Sequence, residues 1–368
     1  MSRQSLRSKN FGYFQSLDTN TLNVTRVNYD YTTPFQTFFY ENPGKNLIIT
    51  TSESIITENK ESTIAIGFDS GKWNQGTKSL AIGKESAFSN LGENSLCIGT
   101  KSGQLFQGKN SVSIGNEAGQ ISNGENNVNI GTGAGKYATG SNNVAIGFNA
   151  GLSNIVDNTI AIGALAGSQS QSPYTISIGT EAGKEVTGLK NISIGVRAGE
   201  NSPKPYNISI GYEAGNTDAG IYSISLGYRA GRVNKGEYSI AIGYLAGELN
   251  QEKYSIAIGN EAAKNGQETR AITIGSLSSS AGQGAYSIVI GNGNATNEKT
   301  GNNTIILGHN CDCLYANTLI LNSGTTPFTA PYRGVFITKD TIKGRPAGLG
   351  VGVVAHDPVT SEVYYSTT

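Results

Sequence analysis

The sequence predicts an all-β chain, a parallel β-roll or solenoid of about 17 rungs with a sixteen-residue period. Three observations predict it. A glycine recurs at fixed spacing through most of the chain. Each of these glycines closes a pattern of aliphatic, small, aliphatic. The composition is that of a turn-rich repeat, with 49 glycines in 368 residues and only 15% charged residues. Ordinary soluble domains carry about 7% glycine and about 25% charged residues.

The period comes first, because a fixed repeat decides the architecture. The glycines fall at Gly67, Gly83, Gly99, Gly115, Gly131, Gly147, Gly163, Gly179, Gly195, Gly211, Gly227, Gly243, Gly259, Gly275 and Gly291, each sixteen residues on. Gly308 follows after seventeen, and Asn322 holds the glycine slot of the last copy after fourteen more. "NLIIT" at Asn46–Thr50 reads as a degenerate further copy before the first. Identical short units at this spacing stack as the rungs of a solenoid.

Within a copy, aliphatic residues at i and i+2 give strand periodicity, with both on one face. The second aliphatic is expected to form the dry core. That column is Ile66, Ile82, Ile98, Ile114, Ile130, Ile146, Ile162, Ile178, Ile194, Ile210, Leu226, Ile242, Ile258, Ile274 and Ile290. The small residue between the aliphatics (Ala65, Ala81, Cys97, Ser113, Ala145) is read as the other face. The glycine suits a corner where φ is positive. The Ala-Gly pair that follows (Ala118-Gly119, Ala150-Gly151) suits a closely apposed second wall, so the coil is thin. Rungs about 4.8 Å apart turn each slot into a ladder. Asn94, Asn110, Asn126, Asn142 and Asn158 form one column, and Tyr206, Tyr222, Tyr238 and Tyr254 continue it. Amides chain and rings stack along such columns, which fixes register. Two large aliphatics per sixteen residues make a thin core, and a thin roll gains by packing against copies of itself.

"NSVSIGNEAG" (Asn110–Gly119), "NNVAIGFNAG" (Asn142–Gly151) and "YSIAIGYLAG" (Tyr238–Gly247) resemble the NSVAIG-type repeats of trimeric autotransporter adhesin heads, the YadA-like head. The resemblance implies a left-handed parallel β-roll packed as a homotrimer. The chain departs from that family in two ways. The family period is nearer fourteen, so longer loops are expected here. The family's signal peptide, coiled-coil stalk and membrane-anchor barrel have no counterpart in the sequence.

Three segments are expected. Residues 1–61 form an aromatic-rich N-terminal cap or anchoring arm, with Phe11, Tyr13, Phe14, Tyr29, Tyr31, Phe35, Phe38, Phe39 and Tyr40. Residues 62–322 form the repeat domain. Residues 323–368 form a C-terminal cap, in which "VGVVAHDPVTSEVYYS" reads as a β-hairpin turning at Asp357-Pro358. This ending is similar to the closing segments of fibre-like surface proteins of large DNA viruses and some phages.

Charge and motif content bound the chemistry. Net charge is zero, so there is no basic excess for nucleic acid. No apolar run reaches the roughly 18 residues of a membrane span, and the N-terminus lacks the apolar stretch of a secretory signal. Gly67–Lys72, Gly131–Lys136 and Gly179–Lys184 imitate a phosphate loop. They are one residue short and lack its Ser/Thr, so they are read as repeat glycines. Hexapeptide acyltransferases also carry Ile-Gly solenoids, but with six-residue steps and a catalytic histidine. The histidines here, His309 and His356, lie outside the regular rungs.

"HNCDC" places His309, Cys311 and Cys313 close in sequence. They are the candidate metal ligands, against the plainer reading of a loop with reduced thiols where the period breaks. Cys97 occupies a small-residue slot and is read as packing. Glu117, Glu181 and Glu213 follow one column, as a solvated face does, and are not read as a catalytic pair. No cofactor is expected. The sequons at Asn191 and Asn207 lie within the strand pattern.

The function expected is that of a non-enzymatic structural protein, a trimeric fibre or surface projection on a virion, with host attachment as a further use. The alternative is an adhesin or receptor-binding head on a bacterial cell surface that holds host glycan or matrix protein. The partners expected are the chain itself as a homotrimer, other capsid or surface proteins through the N-terminal segment, and a host receptor or glycan.

Overall fold

The computed structural model describes residues 61–322, apart from positions 154, 170, 186, 187, 203 and 297. It also describes the strands Phe38–Glu41, Leu47–Thr50, Phe328–Thr329, Val335–Ile337, Val353–His356 and Val363–Ser366. The chain divides into two units, Met1–Thr175 and Ile176–Thr368. Both are stacks of short parallel strands, and no helix occurs among the described residues.

In the first unit, Ile64–Ile66 pairs in parallel with Leu80–Ile82, that strand with Leu96–Ile98, and so on through Val112–Ile114, Val128–Ile130 and Val144–Ile146 to Ile160–Ile162. The register is always one repeat: Val112 faces Val128 and Ile114 faces Ile130. Leu47–Thr50 pairs in parallel with Ile64–Ile66, so the degenerate copy before the first glycine is a rung. Phe38–Glu41 adds antiparallel to it. The remaining aromatics of the expected arm lie outside the described residues.

The second unit repeats the pattern from Ile176–Ile178 to Leu319–Asn322. The stack then takes one more rung, Val335–Ile337, paired with Leu319–Leu321 at the same sixteen-residue step. The sequence reading passed over this rung because Thr338 stands where a glycine would mark it. Val353–His356 and Val363–Ser366 pair antiparallel, as the hairpin reading expects. Their connecting turn lies outside the described residues.

The burial pattern corrects one expectation. The column from Ile66 to Ile290 is not the interior of the chain. Its residues are half-buried or exposed, with Ile210, Ile274 and Ile290 at 37–39%. The residue between the two aliphatics is the buried one: Ala65, Ala81, Cys97, Ser113, Asn129, Ala145, Ala161 and onward, at 0–2%. The physical reason is cross-section. Period-2 alternation sends one set in and the other out, and the coil is too thin to enclose the large set. A Cβ added at Gly103 would lie 2.3 Å from Cys97 Sγ, and one at Gly119 2.3 Å from Ser113 Oγ. The two walls already touch.

The interior is therefore small and polar, and many of its polar groups are satisfied locally. Ser70, Ser86 and Ser102 Oγ donate to the carbonyls of Ala81, Cys97 and Ser113 at 2.9, 3.0 and 2.7 Å. In the second unit, Gln251 Nε2 donates to Ile240 O at 2.8 Å and to Gln267 Oε1 at 3.0 Å, and Gln267 Nε2 donates to Gln283 Oε1 at 2.9 Å. Such bonds offset the cost of burying amides. Asn191 and Asn207 belong to this interior: Asn191 Oδ1 accepts from Asn207 N at 2.8 Å, so both sequon amides face inward.

The repeat glycine turns the corner. Gly115 has φ 133° and its Cβ position lies 2.6 Å from Gly131 O of the next rung. Any side chain there would clash with the backbone above it, which is why the slot admits no other residue through the regular rungs.

Candidate functional site

The outward surface of each rung is built from the strand outward. Take the repeat glycine as origin. The strand fills the three residues before it, and the first and third of these point out. In rungs 222–228 and 238–244 the burial runs exposed, buried, half-buried, buried, half-buried, intermediate, exposed. Thus Tyr222 and Tyr228 bracket Ile224 and Leu226, and Tyr238 and Tyr244 bracket Ile240 and Ile242. Stacked in register, these make an aliphatic band two side chains wide with a tyrosine column on each side. Monomeric proteins seldom leave so continuous an apolar surface uncovered.

Both tyrosine columns stack. Ring centroids are 4.7 Å apart for Tyr206–Tyr222 and 5.2 Å for Tyr222–Tyr238 and Tyr238–Tyr254. On the other side Tyr212–Tyr228 and Tyr228–Tyr244 stand at 5.2 Å. Cations close the first column at both ends: Lys190 Nζ lies 5.5 Å from the Tyr206 ring, and the Arg270 guanidinium 5.3 Å from Tyr254 and 5.6 Å from Tyr286. In the first unit the equivalent slot holds asparagine at five successive rungs, Asn94 to Asn158, with Lys78 before them and Tyr174 after. Asn94, Asn110 and Asn126 each donate Nδ2 to the Oδ1 of the next, Asn110, Asn126 and Asn142, at 3.3, 3.2 and 3.1 Å.

The acidic column read as a solvated face forms ion pairs. Arg197 Nε meets Glu181 at 2.9 Å and its Nη1 meets Glu213 at 3.7 Å, while Arg229 Nε meets Glu213 at 2.9 Å. Lys136 meets Glu117 at 2.7 Å, and its hydrogen bond holds that carboxyl below the usual carboxylate range. The three lysines of the phosphate-loop look-alikes are all engaged in this way: Lys72 with Asp69, Lys136 with Glu117, Lys184 with Glu181. Among the described residues no helix follows them to present backbone amides to a phosphate.

The metal candidates do not converge. Cys311 and Cys313 turn inward and pack with Val289, Ile306 and Ile320, whereas His309 is exposed. Cys311 Sγ donates to His309 O at 3.2 Å and accepts from Asn322 Nδ2 at 3.2 Å, and Cys313 Sγ donates to Tyr315 O at 3.4 Å. Burial pushes the Cys311 thiol up to about 11 and raises Cys313 as well, which opposes thiolate ligation. Among the described residues no group of three or more His, Cys, Asp or Glu is placed to hold a metal ion. Cys97 is fully buried in the small-residue column, and burial raises its thiol strongly.

Sequence reasoning missed three buried charges: Glu213 and Glu248, which are ion-paired with arginines, and Lys235. Lys235 sits fully buried in the column that elsewhere holds Gln75, Gln251, Gln267 and Gln283. Its Nζ donates to Ile224 O and to Ser225 Oγ. Among the described residues no carboxylate pairs with it, and desolvation drives its pKa well below the ordinary lysine value. The signal was there in the sequence: Lys235 is sixteen residues before Gln251. Near it, an open groove of about 500 Å³ is lined by Lys204, Asp218, Asn234, Asn250, Glu252 and Lys253 among others.

No family model matches the chain. No curated protein matches it either. The class that the fold defines is a parallel β-solenoid repeat protein with a sixteen-residue period.

Proposed function

We propose that the protein is a non-enzymatic structural protein whose chains assemble in parallel as a homotrimer, forming a fibre or surface projection. The observation that carries this reading is the outward aliphatic band. Ile66 through Ile290 and their partners two residues earlier leave the largest apolar side chains of every rung on the outside. Burial of such a band against copies of itself supplies the large-side-chain core that the thin coil lacks. The trimeric state and left-handed winding come from the likeness to YadA-like heads. The virion setting rests on the likeness of the closing hairpin segment to viral and phage fibre proteins.

Light scattering coupled to size exclusion on the full chain tests the assembly. The expected mass is three times 38.5 kDa. A single-chain mass at micromolar concentration overturns it. Immunogold labelling of purified particles tests the setting, with label on the particle surface as the expected result.

A second reading, attachment to a host glycan, is favoured by the groove beside Asn234 and Asn250. Its amides and its charges of both signs suit a hydroxyl-rich ligand. A glycan-array screen of the assembled protein tests it, and an Asn234→Ala variant should lose whatever signal is found.

A further inference from the structure

We infer that the two tyrosine columns of the second unit are the two halves of one inter-chain seam: Tyr212, Tyr228 and Tyr244 of one copy pack against Tyr206, Tyr222 and Tyr238 of the next. This rests on the parallel assembly proposed above and adds to it the partner surface.

The first argument is symmetry. When copies stand parallel and in register about an axis along the stack, the left edge of one outward band meets the right edge of its neighbour. Here the left edge is the column that starts at Tyr206 and the right edge is the column that starts at Tyr212. They run over the same three rungs with the same sixteen-residue step. Each ring on one edge therefore has a counterpart at the same height on the other.

The second argument is conformational cost. Tyr206, Tyr222, Tyr238 and Tyr254 sit at φ 55–63°. The first unit fills the same slot, at the same φ, with Asn94, Asn110, Asn126 and Asn142. Asparagine enters this left-handed region readily, whereas a bulky side chain does so rarely. The backbone selects against tyrosine at four successive rungs, so the ring is there for what it touches. Intra-chain stacking accounts for the faces of the rings. It leaves their edges and hydroxyls open, with the six rings 38–49% exposed.

The third argument is area. A buried aromatic side chain contributes roughly 150–250 Å². Six rings at that exposure offer about 400–700 Å² per seam, a large share of the roughly 1,200–2,000 Å² of a standard interface. Tyrosine also suits an edge, since its ring packs while its hydroxyl reaches water or a neighbour.

Photo-oxidative coupling of the full-length protein with a ruthenium complex and persulfate tests the seam. Each of two adjacent phenols loses one electron and one proton to the oxidant, and their ortho carbons join. Light scattering is run on the same sample beforehand. The expected result is an oligomer that yields covalent dimers and trimers on a denaturing gel. Peptide mapping should then join the segment holding Tyr212, Tyr228 or Tyr244 to the one holding Tyr206, Tyr222 or Tyr238. The triple variant Tyr212→Phe, Tyr228→Phe, Tyr244→Phe keeps the stack and should lose those cross-links at least tenfold while remaining oligomeric. An oligomer whose cross-links from these residues stay within single chains, or survive the triple variant, overturns the seam and leaves the assembly standing. A single-chain mass in the scattering step overturns both.

Discussion

The two units use one backbone for two different columns. At the slot five residues before each glycine, Asn126 in the first unit has φ 60° and Tyr254 in the second has φ 60°. In the first unit the slot closes on itself, because each amide both donates and accepts along the column. In the second unit it holds rings that stack, with Lys190 and Arg270 at the ends. The difference teaches that one left-handed slot accepts asparagine readily and tyrosine only at a conformational cost. The amide column is satisfied within one chain, whereas the aromatic column leaves edges for something else to cover.

The largest effect should be the same in both units, because the interior is common to them. Ala145→Leu and Ala241→Leu each force a large side chain between walls in contact. Each should destabilise by about 3 kcal/mol in thermal or denaturant unfolding, as overpacking does. A tolerant Ala241 beside a sensitive Ala145 would break the equivalence of the two interiors.

Next come the outward aliphatics. Ile130→Asp in the first unit and Ile242→Asp in the second put a charge on a surface that a single chain already exposes. Chain folding should survive, and the scattering mass should fall to that of one chain at micromolar concentration. If either variant instead unfolds with a cost of several kcal/mol, that column lies in a drier place than the single chain shows.

Lys235 sharpens the comparison within the second unit. Its folded-state pKa is lowered by burial, so between that value and the ordinary lysine value the unfolded chain binds more protons at this site than the folded chain does. Stability should then rise with pH up to the ordinary lysine value of about 10.4, by up to about 1.4 kcal/mol per pH unit. It should fall as pH drops, until the folded-state pKa is passed. Gln251 Oε1 is left without a donor, and a glutamine one rung earlier would supply one, as Gln251 does for Gln267. Lys235→Gln should therefore raise Tm at pH 7 and flatten this pH slope. A variant no more stable than the parent would show that the buried amine is accommodated without penalty.

The smallest effects belong to the column that differs. Asn126→Ala removes two amide links and places alanine in a left-handed conformation, and should cost about 1 kcal/mol. Asn126→Gly should cost less, since glycine recovers the backbone term. Tyr238→Asn carries the first unit's solution into the second. It should leave single-chain stability within about 0.5 kcal/mol, trading a stacked ring for an easier backbone. A large loss of single-chain stability there would mean that the rings hold the unit together themselves.

The sequence by itself determined the architecture. Sixteen-residue spacing, aliphatics two apart and a glycine at the corner admit only stacked parallel rungs, and the register of the regular rungs follows from the period. It also located both ladders, because stacked identical slots must meet. It did not determine which face is inside. Alternation fixes that the aliphatics and the small residues oppose each other, and says nothing of which set the coil encloses. Only the tertiary structure decided this, because the choice depends on the distance between walls. That distance is set by Gly103 against Cys97 and Gly119 against Ser113 across the coil, contacts that no single rung reveals. The same is true of Cys311 and His309: neighbours in sequence, their side chains part because Asn310, at φ 50°, turns the chain between the strands Ile305–His309 and Cys311–Asp312.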